Sequence, residues 1–561
     1  MQLKGLRDIA ASRAFWAGLL FLFALCYYGS YYRHGLNFRD EGGTVALIAQ
    51  RLNNGELPFT DVTLGYNIGW FYPVQLLYKV FGTSYIVLRV WCFALSTLAA
   101  LLGFWAIARA LDHRCGGKVW RHGPAAFVIG VLLVVVPGST FKNYIPLAVI
   151  ANSLALLAAA LAPPSTRRAV LHGIIGGTVL GLTALVRIDL AIFTALLWPG
   201  LLLFRTLDRT HPLRQSILTA TLLFATAALV HLPAYIDARQ RGFSEAFVAQ
   251  YPGWVESLST SVTTKFLPQV VPAGVPSTAI PNAVWDEETL ARKGVSEAIS
   301  AKKPEARSLA ALTYLPLLSI VPLSLWAFFA WLYRAIRRRT DTAAPLAALA
   351  VLGGALTAFP QFFFFRPDAP HLSEFSPGFW VAVMCATILL TGRITGLVIA
   401  VCLTLHTALF LSRMLPDRWT GTIAARNGRT RPFNAENGVN VLVNRRELEG
   451  LTTLRDLLHQ HSKPGEYVVV YPYHPTINVL ADRPTYEKNV YVDNAIRTVT
   501  WDYDAIARFE KYKPAVIVLS EWDVNGTEAS RFSIFAARTK TWVQTHYRYQ
   551  GTYLEFEVYV R

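Results

Sequence analysis

Residues 14–43 read AFWAGLLFLFALCYYGSYYRHGLNFRDEGG, an apolar run that gives way, past a short aromatic stretch, to the charged triplet Arg39-Asp40-Glu41. A helix crosses a hydrocarbon core with about 20 mostly apolar residues, so the run from Phe15 is a candidate span. It follows Lys4, Arg7 and Arg13 and lacks a small-residue cleavage site. That pattern predicts a retained anchor with a cytoplasmic N-terminus rather than a signal peptide. Ten further apolar runs begin near Tyr85, Ala125, Tyr144, Ala169, Leu190, Ile217, Leu309, Ala344, Phe379 and Ile394.

Alternating these eleven runs across a bilayer assigns a side to every connection, and the basic residues test the assignment. The links expected inside are Arg114 to Arg121, Arg167-Arg168, Arg205 to Arg214, Arg334 with Arg337 to Arg339, and Arg393. All are short and basic, as cytoplasmic loops are. Arg39, Asp40, Glu41, Asp61, Arg187, Asp189, Arg366, Asp368 and His371 then fall together on the opposite face, and an active site there is the simplest reason. The net charge of +17 is in large part topological and is no sign of nucleic-acid binding. Of the five cysteines, Cys26, Cys92, Cys385 and Cys402 lie in apolar runs and Cys115 in an inner link, so no disulfide framework is expected outside. No CxxC or Cys/His metal pattern occurs.

Three segments remain on the outer side. In residues 33–84 the stretch Thr44 to Leu52 repeats apolar residues at helical spacing and predicts a helix resting at the interface. Residues 237–308, rich in Ser, Thr, Pro and Val with Trp254 near the start, lack clear periodicity and read as a lid-like loop. From Pro416 the composition is that of a soluble domain. It predicts a helix at Leu451–His461, strands at Tyr467–Tyr471 and Ala515–Leu519, and a hairpin of Trp542–Tyr549 with Thr552–Val560 turning at Gln550-Gly551. The division is thus a membrane domain, residues 1–415, and an α/β domain, residues 416–561, with a binding or scaffolding role.

Three charged constellations stand at the ends of spans. Arg39-Asp40-Glu41 places two acids beside a low-dielectric region, where each needs a partner. Arg187-Ile188-Asp189 sits between the fifth and sixth runs with almost no loop, after Gly173, Gly176, Gly177 and Gly181, whose spacing suits close helix packing. Arg366-Pro367-Asp368-Ala369-Pro370-His371 follows the run Phe362 to Phe365 and combines a cation, an acceptor and a titratable donor. Each has a plain alternative as a self-neutralising pair or an interfacial belt. Asp61 either supports Asp40 or caps a turn, and Tyr473, His474 and Arg483 are candidates for a sugar groove.

The order Asp40-Glu41-Gly42, Ala46, Arg51-Leu52, Gly55, Pro58-Phe59, Asp61, Tyr72-Pro73, Tyr78 resembles the first outer loop of the GT-C glycosyltransferases, which take a sugar from a polyprenyl-phosphate carrier. Protein O-mannosyltransferases and the aminoarabinose and arabinofuranose transferases of bacterial envelopes are among them. The Arg-x-Asp turn and the Arg-Pro-Asp and His loop look like counterparts in that family. The resemblance implies a polytopic α-helical fold in a bacterial inner membrane and a polyprenyl-phosphate sugar donor. It implies an extracytoplasmic glycan, lipid or protein acceptor, with the tail periplasmic and no nucleic-acid partner. It implies Asp40 as the catalytic acid with Glu41 as its neighbour, Arg39 and Asp61 in support, and Arg187, Asp189, Arg366, Asp368 and His371 at the donor phosphate. No cofactor is required, although some relatives use a divalent ion. Hexosyl and pentosyl transfer both fit. A transporter of lipid-linked sugar and a non-catalytic glycan-binding scaffold are the rival classes.

Overall fold

The computed structural model describes residues 13–38, 40–115, 123–136, 141–266, 317–337, 341–359, 369–414, 427–435, 438–492, 500–524 and 528–561. The chain opens with α1 (Arg13–Gly29), a π-helix (Asp40–Leu47) running straight into α2 (Ile48–Asn53), and α3 (Tyr72–Phe81). The bundle continues with α4 (Tyr85–Cys115), α5 (Gly123–Val135), α6 (Tyr144–Ala160), α7 (Thr166–Val186), α8 (Ile188–Leu207) and α9 (Leu213–Arg241), followed by α10 (Ser244–Phe266). It closes with α11 (Ile320–Ile336), α12 (Ala343–Leu356), α13 (Ala369–Thr391) and α14 (Arg393–Met414). Every expected run meets an apolar helix. By length and composition α4, α7, α8, α9 and the Glu374–Thr391 part of α13 are sufficient to cross a membrane, and α1, α5, α6, α11, α12 and α14 are shorter apolar helices.

The spaced glycines do close two of these helices on each other. A Cβ built on Gly173 would stand 2.7 Å from Leu222 Cβ, and one on Gly181 2.8 Å from Val230 Cβ, so α7 and α9 approach at a distance that larger residues would forbid.

Three expectations for the membrane part are corrected. The helix at Asp40–Asn53 does not rest on a surface: Val45 to Ala49 and Leu52 are fully buried. The amphipathic helix of this segment is instead α3, which buries Val74, Gln75 and Tyr78 and exposes Leu76, Val80 and Phe81. The second outer segment is helical as far as Phe266, the last of its described residues, because Phe243, Phe247 and Tyr251 recur every four residues and the first two are buried. A left-handed Gly242 (φ 82°) makes the corner between α9 and α10. The tenth run starts earlier than its apolar part, at Ala369, with Pro370 tolerated in the first turn. His371 therefore lies on a helix rather than in a loop.

The tail holds a hairpin of β1 (Arg431–Asn434) and β2 (Asn440–Val443), then α15 (Arg445–His461), β3 (Val468–Tyr471), α16 (Thr476–Ala481), α17 (Trp501–Tyr512) and β4 (Val516–Ser520). It ends with α18 (Phe532–Phe535), α19 (Ala537–His546), β5 (Arg548–Tyr553) and β6 (Phe556–Val560). The second sheet has the order β3-β4-β6-β5, with β3 and β4 parallel. A full capping box fixes the start of α15: Glu447 N donates to Asn444 Oδ1 at 2.8 Å and Asn444 N to Glu447 Oε2 at 2.9 Å. The final hairpin differs from its expectation. Trp542 belongs to α19, where Thr539 and Val543 bury at helical spacing. The strands turn at Leu554-Glu555, and Gly551 (φ 139°) forms a bulge inside β5.

The tail is not an appendage. Phe433, Val439, Val441, Val443, Leu451, Val479 and Leu480 belong to the same core as the bundle. Leu442 N donates to Arg33 O at 2.6 Å and Gly35 N to Leu442 O at 2.8 Å. Thr476 Oγ1 donates to Asn37 O at 2.8 Å, Thr63 N to Lys488 O at 2.8 Å, and Thr44 Oγ1 and Tyr473 Oη lie 2.5 Å apart. These contacts hold the first outer segment on both sides of Asp40, which explains why the stretch from Thr44 to Ala49 is buried.

Candidate functional site

Arg187 is the single residue between α7 and α8, in extended conformation (φ −142°, ψ 105°). Asp189 follows in the first turn of α8, where a carboxylate suits the positive end of the helix. The guanidinium donates to the carboxylate in bidentate fashion, Nε to Oδ1 at 2.9 Å and Nη2 to Oδ2 at 2.7 Å. Arg187 is 3 % exposed and Asp189 6 %. Burial works against the Arg187 charge, but Asp189, with Tyr66 and Glu374 beyond it, outweighs that and holds the guanidinium above its ordinary pKa. The ring of Trp254 on α10 stands 5.5 Å from the guanidinium carbon, so the segment read as a lid touches this turn.

The first outer segment is fastened to the same turn. Asn67 Nδ2 donates to Ala184 O at 2.9 Å and Trp70 Nε1 to Val186 O at 2.7 Å. Gly69 sits where a Cβ would come within 2.6 Å of Leu185 O. Tyr66 stacks on Trp70 at 3.9 Å between centroids, and Trp91 Nε1 donates to Tyr144 Oη at 2.7 Å beside them. Arg51, 5 % exposed, pins the other side of the loop: Nε donates to Glu56 Oε2 at 2.7 Å, Nη1 to Glu487 O at 2.7 Å and Nη2 to Asp61 O at 3.2 Å.

A second ion pair escaped the sequence reading. Lys142 Nζ lies 3.1 Å from Glu374 Oε1, with side chains 17 % and 7 % exposed. Lys142 occupies a 3-10 turn (Phe141–Asn143) between α5 and α6, and Glu374 stands three residues past His371 on α13. The signal for Lys142 was its place as the cation of an expected outer link. For Glu374 it was helical spacing from His371, hidden while that stretch was read as a loop. Asp40 and Glu41 begin the π-helix, which packs against the Lys142 turn. The pieces are linked in a chain: the Lys142 turn meets the π-helix, Lys142 pairs with Glu374, and the Glu374 charge reaches Arg187.

The remaining expected residues are placed as follows. Arg39, Arg366 and Asp368 lie outside the described residues, and His371 is in the first turn of α13. Asp61 is exposed and caps a turn, with Leu57 N donating to its Oδ2 at 2.7 Å. Asp237, not among the expected site residues, accepts from Tyr72 Oη at 2.6 Å. His474 is fully buried, its Nδ1 3.3 Å from Ser520 Oγ, and Arg483 bonds the carbonyl and hydroxyl of Ser462. Among the described residues no group of three His, Cys, Asp or Glu side chains is arranged to hold a metal ion.

Neither a family model nor a curated protein matches the chain. Among solved structures it is similar to the Archaeoglobus fulgidus oligosaccharyltransferase in complex with zinc and sulfate. That match has 16 % identity, covers 90 % of this chain and 68 % of the other, and has a TM-score of 0.48. It is also similar to ArnT from Cupriavidus metallidurans bound to undecaprenyl phosphate, with 14 % identity, 98 % of each chain and a TM-score of 0.48. The apo form of that ArnT gives 15 % identity, 97 % of each chain and a TM-score of 0.45.

Proposed function

We propose that this protein is an inverting membrane glycosyltransferase of the GT-C class, moving a sugar from polyprenyl phosphate to an acceptor outside the cytoplasm. The observation that carries the reading is the buried pair Arg187-Asp189 together with the pair Lys142-Glu374, whose Glu374 charge reaches Arg187 and whose Lys142 turn packs against the helix that opens with Asp40-Glu41. Buried ionisable groups at a membrane edge are costly and are retained for chemistry or transport. Here they collect at one end of the bundle rather than at its midplane, which favours an enzyme over a transporter.

In the proposed reaction the acceptor hydroxyl oxygen attacks the anomeric carbon while its proton passes to the Asp40 carboxylate. The bond from the anomeric carbon to the phosphate oxygen breaks, and polyprenyl phosphate leaves with the electron pair. Arg366, Lys142 and the Arg187-Asp189 turn neutralise and orient that phosphate, with Asp368 and His371 in support. Purified protein in liposomes, given a polyprenyl-phosphate sugar, is expected to release polyprenyl phosphate only when acceptor is present. Movement of intact donor across the bilayer without release would favour the transporter.

Two expected results follow from the same reading. Reporters at Lys118 and Arg338 should mark the inner side and one at the C-terminus the outer side, as the basic links require. A cytoplasmic C-terminal reporter would overturn the orientation. Arg366→Lys should weaken polyprenyl-phosphate binding by about 1.5–3 kcal/mol with insertion unchanged, because an ammonium cannot reproduce bidentate contact with phosphate. Recovery of binding in a charge-swapped Arg366→Asp, Asp368→Arg protein would return this cluster to a structural role.

A further inference from the structure

The tail brings a group of aromatic side chains to the helix that opens with Asp40. Of the residues read as sugar-groove candidates, His474 is fully buried and Arg483 is tied to Ser462, which leaves Tyr473. Tyr473 stands two residues past the end of β3, and Trp522 two residues past the end of β4, the strand that runs parallel beside it. Tyr491 joins them because Val492 N donates to Pro472 O at 3.0 Å. Ring centroids are 5.0 Å apart for Tyr473 and Tyr491, and 6.2 Å apart for Tyr473 and Trp522. All three side chains are half-buried, yet they belong to none of the hydrophobic clusters formed by the described residues. The tail's own aromatic core is a separate one, built on Tyr471, Trp501, Phe509 and Phe532.

Ligands of open sheets collect in the crevice outside the carboxyl ends of parallel strands, and this is the edge at which the three rings meet. It is also the edge that touches the first outer segment. Tyr473 Oη lies 2.5 Å from Thr44 Oγ1, four residues along the helix from Asp40, and Thr476 Oγ1 donates to Asn37 O on the other side of it. The chemistry of the edge selects among acceptors. An aromatic face carries the negative side of the ring quadrupole, so it attracts the polarised C–H face of a sugar ring. A carboxylate accepts from several hydroxyls at once. Asp523, next to Trp522, is half-buried and makes no hydrogen bond or ion pair among the described residues. Glu555, with its side chain 50 % exposed, lies 3.4 Å from His474, whose ring meets Trp522 edge-on at 5.7 Å. Rings beside acids suit a neutral polyol, whereas a phosphate-bearing headgroup calls for cations.

We infer that Tyr473, Tyr491, Trp522 and Asp523 form the acceptor site, and that the acceptor is a glycan whose terminal sugar ring stacks on these rings beside the helix of Asp40. The role as acceptor site rests on the transfer reaction proposed above, whereas the binding of sugar does not.

The test is saturation-transfer NMR on the full chain in nanodiscs, without donor. The probes are neutral tri- to pentasaccharides of mannose, glucose, galactose and arabinose, with an uncharged peptide containing Ser and Thr as the comparison. Wild type should bind at least one saccharide and not the peptide. Trp522→Ala should weaken that binding about tenfold or more, and Trp522→Phe, which restores a ring, should recover most of it. Asp523→Asn removes a charge that supports no other contact among the described residues, and it should weaken binding roughly threefold to tenfold at unchanged melting temperature. That variant decides the matter if Trp522→Ala unfolds the tail. In the transfer assay it should raise acceptor KM more than it lowers kcat. Failure of wild type to bind any saccharide, binding of the peptide in its place, or wild-type saccharide affinity in Asp523→Asn or in folded Trp522→Ala would overturn the site. Saccharide binding that depends on Trp522, with no release of polyprenyl phosphate, would keep the site and remove the transfer reaction. Release with acceptor KM unchanged in Asp523→Asn would remove the site alone.

Discussion

Asp40→Asn is expected to lower sugar transfer by roughly two to four orders of magnitude, the usual contribution of a positioned general base. The substitution keeps the size and polarity of the side chain and removes its basicity, so insertion and folding should not change. Asp40 opens an eight-residue π-helix that contains Gly42 and Gly43 and runs into α2. π-Helical turns are uncommon, and they are frequent at functional sites. Glu41→Gln should cost less if Glu41 orients the acceptor or its partner. The measurement is polyprenyl-phosphate release by purified, gel-filtered variants at saturating donor. Near-normal release by Asp40→Asn would remove Asp40 from the mechanism even if the enzyme class stands.

Much of the bundle could be read directly, because a bilayer imposes a length and a composition that hydropathy reports. Each of the runs from Phe15 to Ile394 meets a helix, and the glycines at 173 and 181 lie where close packing needs them. The site was only half visible. Arg187 and Asp189 are neighbours in sequence, so their pairing could be anticipated. Lys142 and Glu374 are brought together only by the packing of α13 against α6, which no local pattern encodes. Where composition misled, the cause was tertiary. Ser, Thr and Pro disguised α10, whose helical face is defined by Phe243, Phe247 and Tyr251. Gln550-Gly551 has the chemistry of a turn, yet the pairing of Tyr553 with Phe556 closes the hairpin later and leaves Gly551 as a bulge. The burial of the stretch from Thr44 to Ala49 depended on contacts from Tyr473 and Thr476, in a part of the chain that read as a separate domain.

Asp189→Ala is expected to destabilise the protein by about 3–5 kcal/mol, the cost of removing one member of a buried ion pair. Arg187 would retain Trp254 and its place between two helices but lose both hydrogen bonds to the carboxylate. Stability alone does not identify the role, because a structural pair behaves in the same way. The discriminating protein is the double variant Arg187→Met, Asp189→Leu, which removes both charges and keeps the volume filled. Replacing a buried ion pair by apolar residues of similar size is often neutral or stabilising, so denaturant unfolding in detergent should return to near the wild-type midpoint. Donor binding and transfer should not return with it if this turn orients the phosphate, since a methionine and a leucine cannot donate to it or fix a neighbour that does. Recovery of stability and transfer together would show that the pair only joins α7 to α8, and the donor phosphate would then rest on Lys142 and Arg366.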